Sequence, residues 1–222
     1  MRLVTVAHGT RAAAGNQVAA DVTSAAALRL GLTAVASYVE LCTPSFASVV
    51  QGSPEPTVVV PLLLSTGHHL RHDLPCAVDA APGPVVLGGG LGPDALLAAA
   101  QADRLRQAGA APGQPVVMVA AGSRDPLAAR DLSAAARLLA SVWGGPVSLA
   151  TLSGPGARPG ELVTAAHAVS PYLLAPGHFA RRAAVESAAS AHVAEVIGAH
   201  PCVVDLLVER AGALVAGERR TA

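Results

Sequence analysis

The sequence predicts an α/β protein made of two related halves, each built on its own parallel sheet. Short runs of β-branched residues alternate with Ala-rich helical stretches, the pattern of strands joined by crossover helices. The chain also resembles itself at a nearly constant offset, the mark of an internal repeat. At 222 residues, 52% of them apolar, it is long enough to bury one large or two small cores.

Taken in order, strands are expected near 2–7, 34–41, 57–64 and 84–88, carried by runs such as Val4-Thr5-Val6 and Val58-Val59-Val60. A second set is expected near 115–120, 147–152, 171–175 and 202–206. Helices fall between them, near 12–30, 44–52, 72–81 and 93–109, then 125–142, 160–169, 179–198 and 206–217. The segments GPDA (92–95) and PGQP (112–115) are turn-like.

The repeat appears in three ordered blocks. Val6-Ala7-His8-Gly9-Thr10-Arg11 reads against Val119-Ala120-Ala121-Gly122-Ser123-Arg124, Ser37 through Pro44 against Ser148 through Pro155, and Leu63 through Arg71 against Leu173 through Arg181. The halves are therefore placed at 1–112 and 113–222. They differ in their polar groups: His8, Glu40 and His69 in the first stand against Ala121, Thr151 and Phe179 in the second. Both keep a glycine pair (Gly9/Gly122, Gly67/Gly177) and an arginine pair (Arg11/Arg124, Arg71/Arg181). One half carries chemistry; the other is a degenerate repeat that helps to bind.

Composition excludes several classes. Fifteen basic residues balance 15 acidic ones and aromatics make up 2%, which argues against a nucleic-acid binder. Cys42, Cys76 and Cys202 form no CxxC pair or zinc spacing, so reduced thiols are expected. No apolar run reaches membrane-spanning length. The N-terminus enters a strand-like run with no charged leader, which points to the cytoplasm. The glycines at 88–90 resemble a phosphate loop only weakly, and neither GxGxxG at the first strand nor GxxxxGK[ST] occurs.

His8, Glu40 and His69 each sit at the carboxyl end of an expected strand, where ligands bind in open parallel sheets. Imidazole suits first-row transition metals and accepts protons near neutral pH. A histidine at a strand end is often only a hydrogen-bonded structural residue, and Glu40 can equally pair with an arginine or face water. Their joint loss from the second half favours chemistry. Thr10, Ser65 and Thr66 are candidate hydrogen-bond donors, and Arg11, Arg71, Arg124 and Arg181 are candidates for binding carboxylates through the planar guanidinium fork. Asp73 reads as a helix-start residue, and His68, retained as His178, reads as structural.

The segments VTVAHGTR, VELCTPSF, VVVPLLLSTGHHLRHDLP and LGGGLGPDALL together resemble the class II chelatases, the sirohydrochlorin cobaltochelatase and ferrochelatase family, in its two-domain form. That resemblance implies two Rossmann-like domains with an active-site cleft between them. It implies ATP-independent insertion of Fe2+ or Co2+ into sirohydrochlorin, in sirohaem or cobalamin biosynthesis, with nickel less favoured. It places the metal-site histidines on His8 and His69 and the family's glutamate on Glu40. The metal is a substrate, no cofactor is bound permanently, and a fused chain of this kind can act as a monomer. The competing readings are a non-catalytic tetrapyrrole or metal carrier and a metal-dependent small-molecule hydrolase.

Overall fold

A computed structural model describes residues 1–221. The chain divides into two compact units, residues 1–91 with 203–222 and residues 92–202. In the first, β1 (Arg2–Ala7), α1 (Ala13–Leu30), β2 (Thr33–Tyr38), α2 (Phe46–Gln51), β3 (Thr57–Pro61), a π turn (His69–Asp73), α3 (Leu74–Asp79) and β4 (Val85–Leu87) follow one another. The second runs through α4 (Ala95–Gln107), β5 (Val116–Ala120), α5 (Pro126–Trp143), β6 (Val147–Thr151), α6 (Pro159–Leu162), β7 (Ala168–Tyr172), α7 (His178–Glu186) and β8 (His192–Val193). Helix α8 (Pro201–Thr221) starts there and belongs to the first unit from Val203 onward.

Both sheets are wholly parallel and share one topology, β2-β1-β3-β4 in the first and β6-β5-β7-β8 in the second. Parallel sheets of this kind are covered on both faces, and the central strands obey: Leu3, Val4, Val6 and Val58, Val59, Val60 are fully buried, as are Val117, Met118 and Val119. Burying one such side chain contributes about 1.5–3 kcal/mol. Val4, Val6 and Val59 pack with Phe46, Val50, Leu74 and Ala77 on one face of the first sheet. Val117, Val119 and Val169 pack with Ala150, Leu152, Val163, Leu173 and Ala183 in the second. In this strand order the connections out of β1 and into β3 run to opposite sides, so the β1/β3 boundary is the topological switch point.

The compact units divide the chain differently from the expected halves at 112/113. Helix α4 packs on α5 and β7 of the second unit, where the buried Gln101 amide donates to the Ser170 hydroxyl at 2.8 Å. Helix α8 serves the first unit in its place: Leu214 fills the space above Gly88, and Arg29 pairs with Asp205 at 2.5 Å. Gly88 and Gly90 are therefore glycines for packing, since a Cβ would press on Leu214 in one and on the Leu63 carbonyl in the other.

Four expected elements also move. The strand expected at 202–206 is helical, because Val203, Leu206, Leu207 and Ala211 are buried with helical spacing; β8 is the short His192–Val193 pair beside Ala168–Val169. Strand β7 begins at Ala168 rather than 171, since Pro171 lies inside it, paired with Val119. Helix α6 is a single turn rather than a span over 160–169, and α7 ends at Glu186 rather than 198. Among the described residues no helix is long and apolar enough to cross a membrane.

Candidate metal centre

His8 leaves the end of β1, Glu40 lies two residues beyond β2, and His69 opens the π turn that follows β3. The backbone ladder between β1 and β2 runs past the strand ends: Val39 N–H donates to the Ala7 carbonyl at 2.9 Å, and Glu40 N–H to the His8 carbonyl at 3.1 Å. This fixes His8 and Glu40 side by side. Gly9 makes the closeness possible. Its φ is +96°, and a Cβ there would collide with the Glu40 carbonyl oxygen.

On the other flank Leu62 N–H holds β3 to the Val6 carbonyl at 2.8 Å, and Arg71 N–H closes on the Gly67 carbonyl at 3.2 Å. The π turn inserts one extra residue per turn, a device that often re-aims side chains at functional sites. It presents His69 across the β1/β3 switch point to His8. The two rings lie edge to face with centroids 5.0 Å apart, and His8 Nε2 is 3.5 Å from Glu40 Oε1. One donor atom from each of His8, Glu40 and His69 lies within 4.8 Å of the others, and this is the one such three-residue group among the described residues. About half of each of the His8 and Glu40 side chains is exposed.

Asp73 belongs to this centre and not to a helix cap. Its side chain makes no capping hydrogen bond to α3; its carboxylate meets His69 Nδ1 at 2.6 Å instead. Accepting from Nδ1–H fixes the tautomer, so the Nε2 lone pair is left to face an ion. The His-x-x-x-Asp spacing was the signal available in the sequence, since residues four apart on a helical turn are neighbours. His68, read as structural, is mostly exposed; its Nε2 is 3.6 Å from the other Asp73 oxygen, and its ring stacks on His72.

The remaining candidates are distributed as follows. Thr10 is held by Asn16, whose side chain takes its N–H and donates to its carbonyl, while the Thr10 hydroxyl accepts from Ala12 N–H at the start of α1. Ser65 and Thr66 are half-buried in the loop after β3, and Arg11 and Arg71 are exposed at the same edge of the first sheet. Arg124 and Arg181 are exposed at the corresponding edge of the second sheet.

The internal repeat extends to the backbone ladder beyond the first two strands of each sheet, with one correction. Leu152 N–H donates to the Ala120 carbonyl as Val39 N–H does to that of Ala7, and a Cβ on Gly122 would collide with the Ser153 carbonyl oxygen as one on Gly9 would with that of Glu40. The counterpart of Glu40 is thus Ser153, not Thr151. The offset here is that of the first block, because the strand ladder rather than the following loop sets the register. Ser153 turns its hydroxyl back onto the Ala121 carbonyl at 2.7 Å, and nothing at that edge of the second unit offers a matching donor set among the described residues.

The chain resembles known proteins over nearly its whole length. The CbiX family model matches residues 2–108 and 115–214. SirB from Bacillus subtilis, solved with Fe3+, is 26% identical with a TM-score of 0.82, over 99% of this chain and 98% of that one. The sirohydrochlorin chelatase SirB from Bacillus subtilis subspecies spizizenii, solved with cobalt, is 25% identical with a TM-score of 0.74, over 96% of this chain and 94% of that one. A CbiX described as the terminal enzyme of sirohaem biosynthesis in denitrifying bacteria shares the fold at 18% identity, with a TM-score of 0.69 over 96% of this chain and 99% of that one. No curated protein sequence matches significantly. With the family model spanning nearly the whole chain, on a doubly wound sheet whose switch point gathers two imidazoles and a carboxylate, the chain belongs to the CbiX family.

Proposed function

We propose that this chain inserts ferrous iron or cobalt into sirohydrochlorin without ATP, and that His8, Glu40 and His69 handle the incoming ion. The observation that carries this reading is the convergence of three donor atoms within 4.8 Å at a sheet edge built for ligands, in a chain of the CbiX family. Two imidazoles and one carboxylate leave coordination positions for water, as a site that must release its ion requires; closed four-ligand sites are structural. The same donors accept iron and cobalt alike, and two structural neighbours hold Fe3+ and cobalt respectively.

Insertion exchanges two pyrrole N–H protons for one divalent cation, so the site must both hold the ion and take up protons. Glu40 Oε1 beside His8 Nε2 stabilises a proton arriving on that ring. His69, tied at Nδ1 to Asp73, keeps a fixed tautomer and serves as the steadier ligand. The metal is substrate, and no permanently bound cofactor is required. Arg11, Arg71, Arg124 and Arg181, with Thr10, Ser65 and Thr66, are assigned to the carboxylates of the tetrapyrrole. The chain needs no nucleic acid or membrane partner for this activity, and a cytoplasmic setting suits it.

The test is anaerobic insertion followed through the absorbance of sirohydrochlorin. Turnover beyond one equivalent is expected, with severe loss in His8→Ala and in His69→Ala while circular dichroism stays unchanged. Full activity in either variant removes that residue from the mechanism, and a single equivalent consumed would identify a carrier.

A further inference from the structure

We propose that Leu41 is a specificity-determining contact of this centre, an aliphatic platform on which the flat face of the tetrapyrrole rests beside the ion. The identity of the ring rests on the function proposed above.

Leu41 has a φ of +68°, and it is the one non-glycine residue with positive φ among the described residues. Such a backbone brings the Cβ of an L-residue against the following carbonyl oxygen. Glycine has no Cβ, and asparagine or aspartate can offset the cost with a local hydrogen bond; leucine does neither. Burial does not offset it in full either. The side chain is 52% exposed and stays outside the apolar cluster that takes in Val39, Leu63 and Leu70. Strain held without matching burial points to a task for the side chain.

The second unit shows what the turn itself asks for. On the register set by the ladder beyond the strands, Glu40 corresponds to Ser153, and so Leu41 corresponds to Gly154. Gly154 has a φ of +69°, the same left-handed backbone, and a Cβ there would press on the Ser123 carbonyl oxygen. The unit that lacks the donor set makes this turn with glycine and leaves no room for a side chain. The unit that has the donors makes it with leucine.

Position identifies the occupant. Leu41 directly follows Glu40, and its neighbours face inward: a Cβ on Gly9 would meet both the Glu40 carbonyl and Cys42 Sγ. Of the exposed large apolar residues described in the first unit, Met1 precedes β1 and Leu28 lies in the last turn of α1, both at the amino end of the sheet. Leu41 alone lies at the carboxyl edge with His8 and Glu40. The aromatic residues of this unit, Tyr38 and Phe46, are buried, so neither offers a ring for stacking. A macrocycle whose centre must reach the ion lays an apolar face over this edge, with its carboxylates at the rim. A branched aliphatic chain beside Glu40 covers part of that face and excludes water from it.

Metal-free sirohydrochlorin, titrated anaerobically into the full chain and read by its fluorescence, tests this alongside cobalt binding and denaturant unfolding. Leu41→Gly should weaken sirohydrochlorin binding roughly fivefold, the share of a half-exposed leucine side chain, and raise its KM to match. Cobalt affinity and kcat should hold, and the unfolding midpoint should stay or rise because strain is relieved. Leu41→Met returns apolar area and should restore binding; Leu41→Asn suits the backbone but not the ring and should not. Parental binding in Leu41→Gly overturns the proposal and leaves the chelatase reading intact. A Leu41→Gly chain that unfolds at lower denaturant also overturns it, since Leu41 would then pack for the fold. Weakened binding in the variant of a chain that inserts no metal leaves the contact standing and overturns the chelatase reading instead. A parent that does not bind sirohydrochlorin overturns both.

Discussion

Asp73 offers the sharpest test of how the centre works, because it touches a ligand without being assigned as one. Its carboxylate takes the Nδ1 side of His69 at 2.6 Å, with 29% and 44% of the two side chains exposed. A hydrogen bond to a charged partner contributes about 1.5–3 kcal/mol. Partial exposure places this one at the lower end, and about 1.4 kcal/mol corresponds to a factor of ten. Asp73→Asn should therefore weaken binding of the ion about tenfold, within the range of roughly 10–100-fold seen when the partner of a metal-bound histidine is changed. Asp73→Ala should weaken it further, since an amide oxygen still accepts from Nδ1–H and a methyl group does not.

The measurement is cobalt affinity of the full chain, read by absorbance. In the insertion assay the KM for metal should rise in the order Asp, Asn, Ala, with kcat at saturating metal changing less. An Asn variant with parental affinity and an unchanged circular dichroism spectrum would refute the reasoning, because His69 would then be oriented by something else.

Other consequences follow from the backbone and from the two tyrosines. Gly9→Ala forces a Cβ into a left-handed backbone position and against the Glu40 carbonyl; it should cost about 1–3 kcal/mol of stability in denaturant unfolding and abolish ion binding. Gly122→Ala meets the same collision with Ser153 and should lose similar stability without touching the ion. Burial raises the Tyr172 phenol, helped by the carboxylates of Asp131 and then Asp94, and burial followed by Cys42 raises that of Tyr38. The unfolded chain ionises near the ordinary tyrosine value of about 10, so above it the unfolded state holds fewer protons than the folded one and stability falls as pH rises. These are the chain's two tyrosines. Ultraviolet titration should therefore show less tyrosinate at pH 10 in the native protein than in the unfolded chain and a jump on alkaline unfolding; ordinary titration of both at pH 10 would contradict their burial.

The sequence discloses the metal donors because their signal is local: an apolar run, a polar residue at its end, and a glycine where the chain turns. Two such runs one switch point apart bring His8 and the turn that carries His69 to the same edge of the sheet. Asp73 was harder, since an acidic residue just before Leu74 and Pro75 satisfies a helix-start pattern as well as a His-x-x-x-Asp pair, and only the π turn decides between them. The second half was misread where composition and period disagree. Val203 and Val204 favour a strand by type, yet burial of Val203, Leu206, Leu207 and Ala211 is helical, and period prevails over type when a long face can be buried. The sequence repeat and the contact units divide the chain differently for a related reason. A helix is assigned by what it packs on, and neither α4 nor α8 states that in its own residues.

The duplication turns these particulars into an argument about necessity. Both units carry the same strand order, the same positive-φ glycine after the first strand and the same carbonyl crowding beside it. The second unit does so with Ala121, Ser153, Phe179, Arg182 and Ala183 where the first has His8, Glu40, His69, His72 and Asp73. Ala121 and Ala183 pack in the core, and Ser153 and Arg182 bond to backbone at Ala121 and Leu152. The strand order and the glycine turn after the first strand thus form without the five polar residues. Exposed imidazoles and carboxylates gathered at a switch point gain no burial energy and bring several polar groups into mutual contact that water would otherwise solvate. Receiving an ion, as proposed above, accounts for their presence in one unit only, and the glycine common to both units is the part of the site that the fold itself requires.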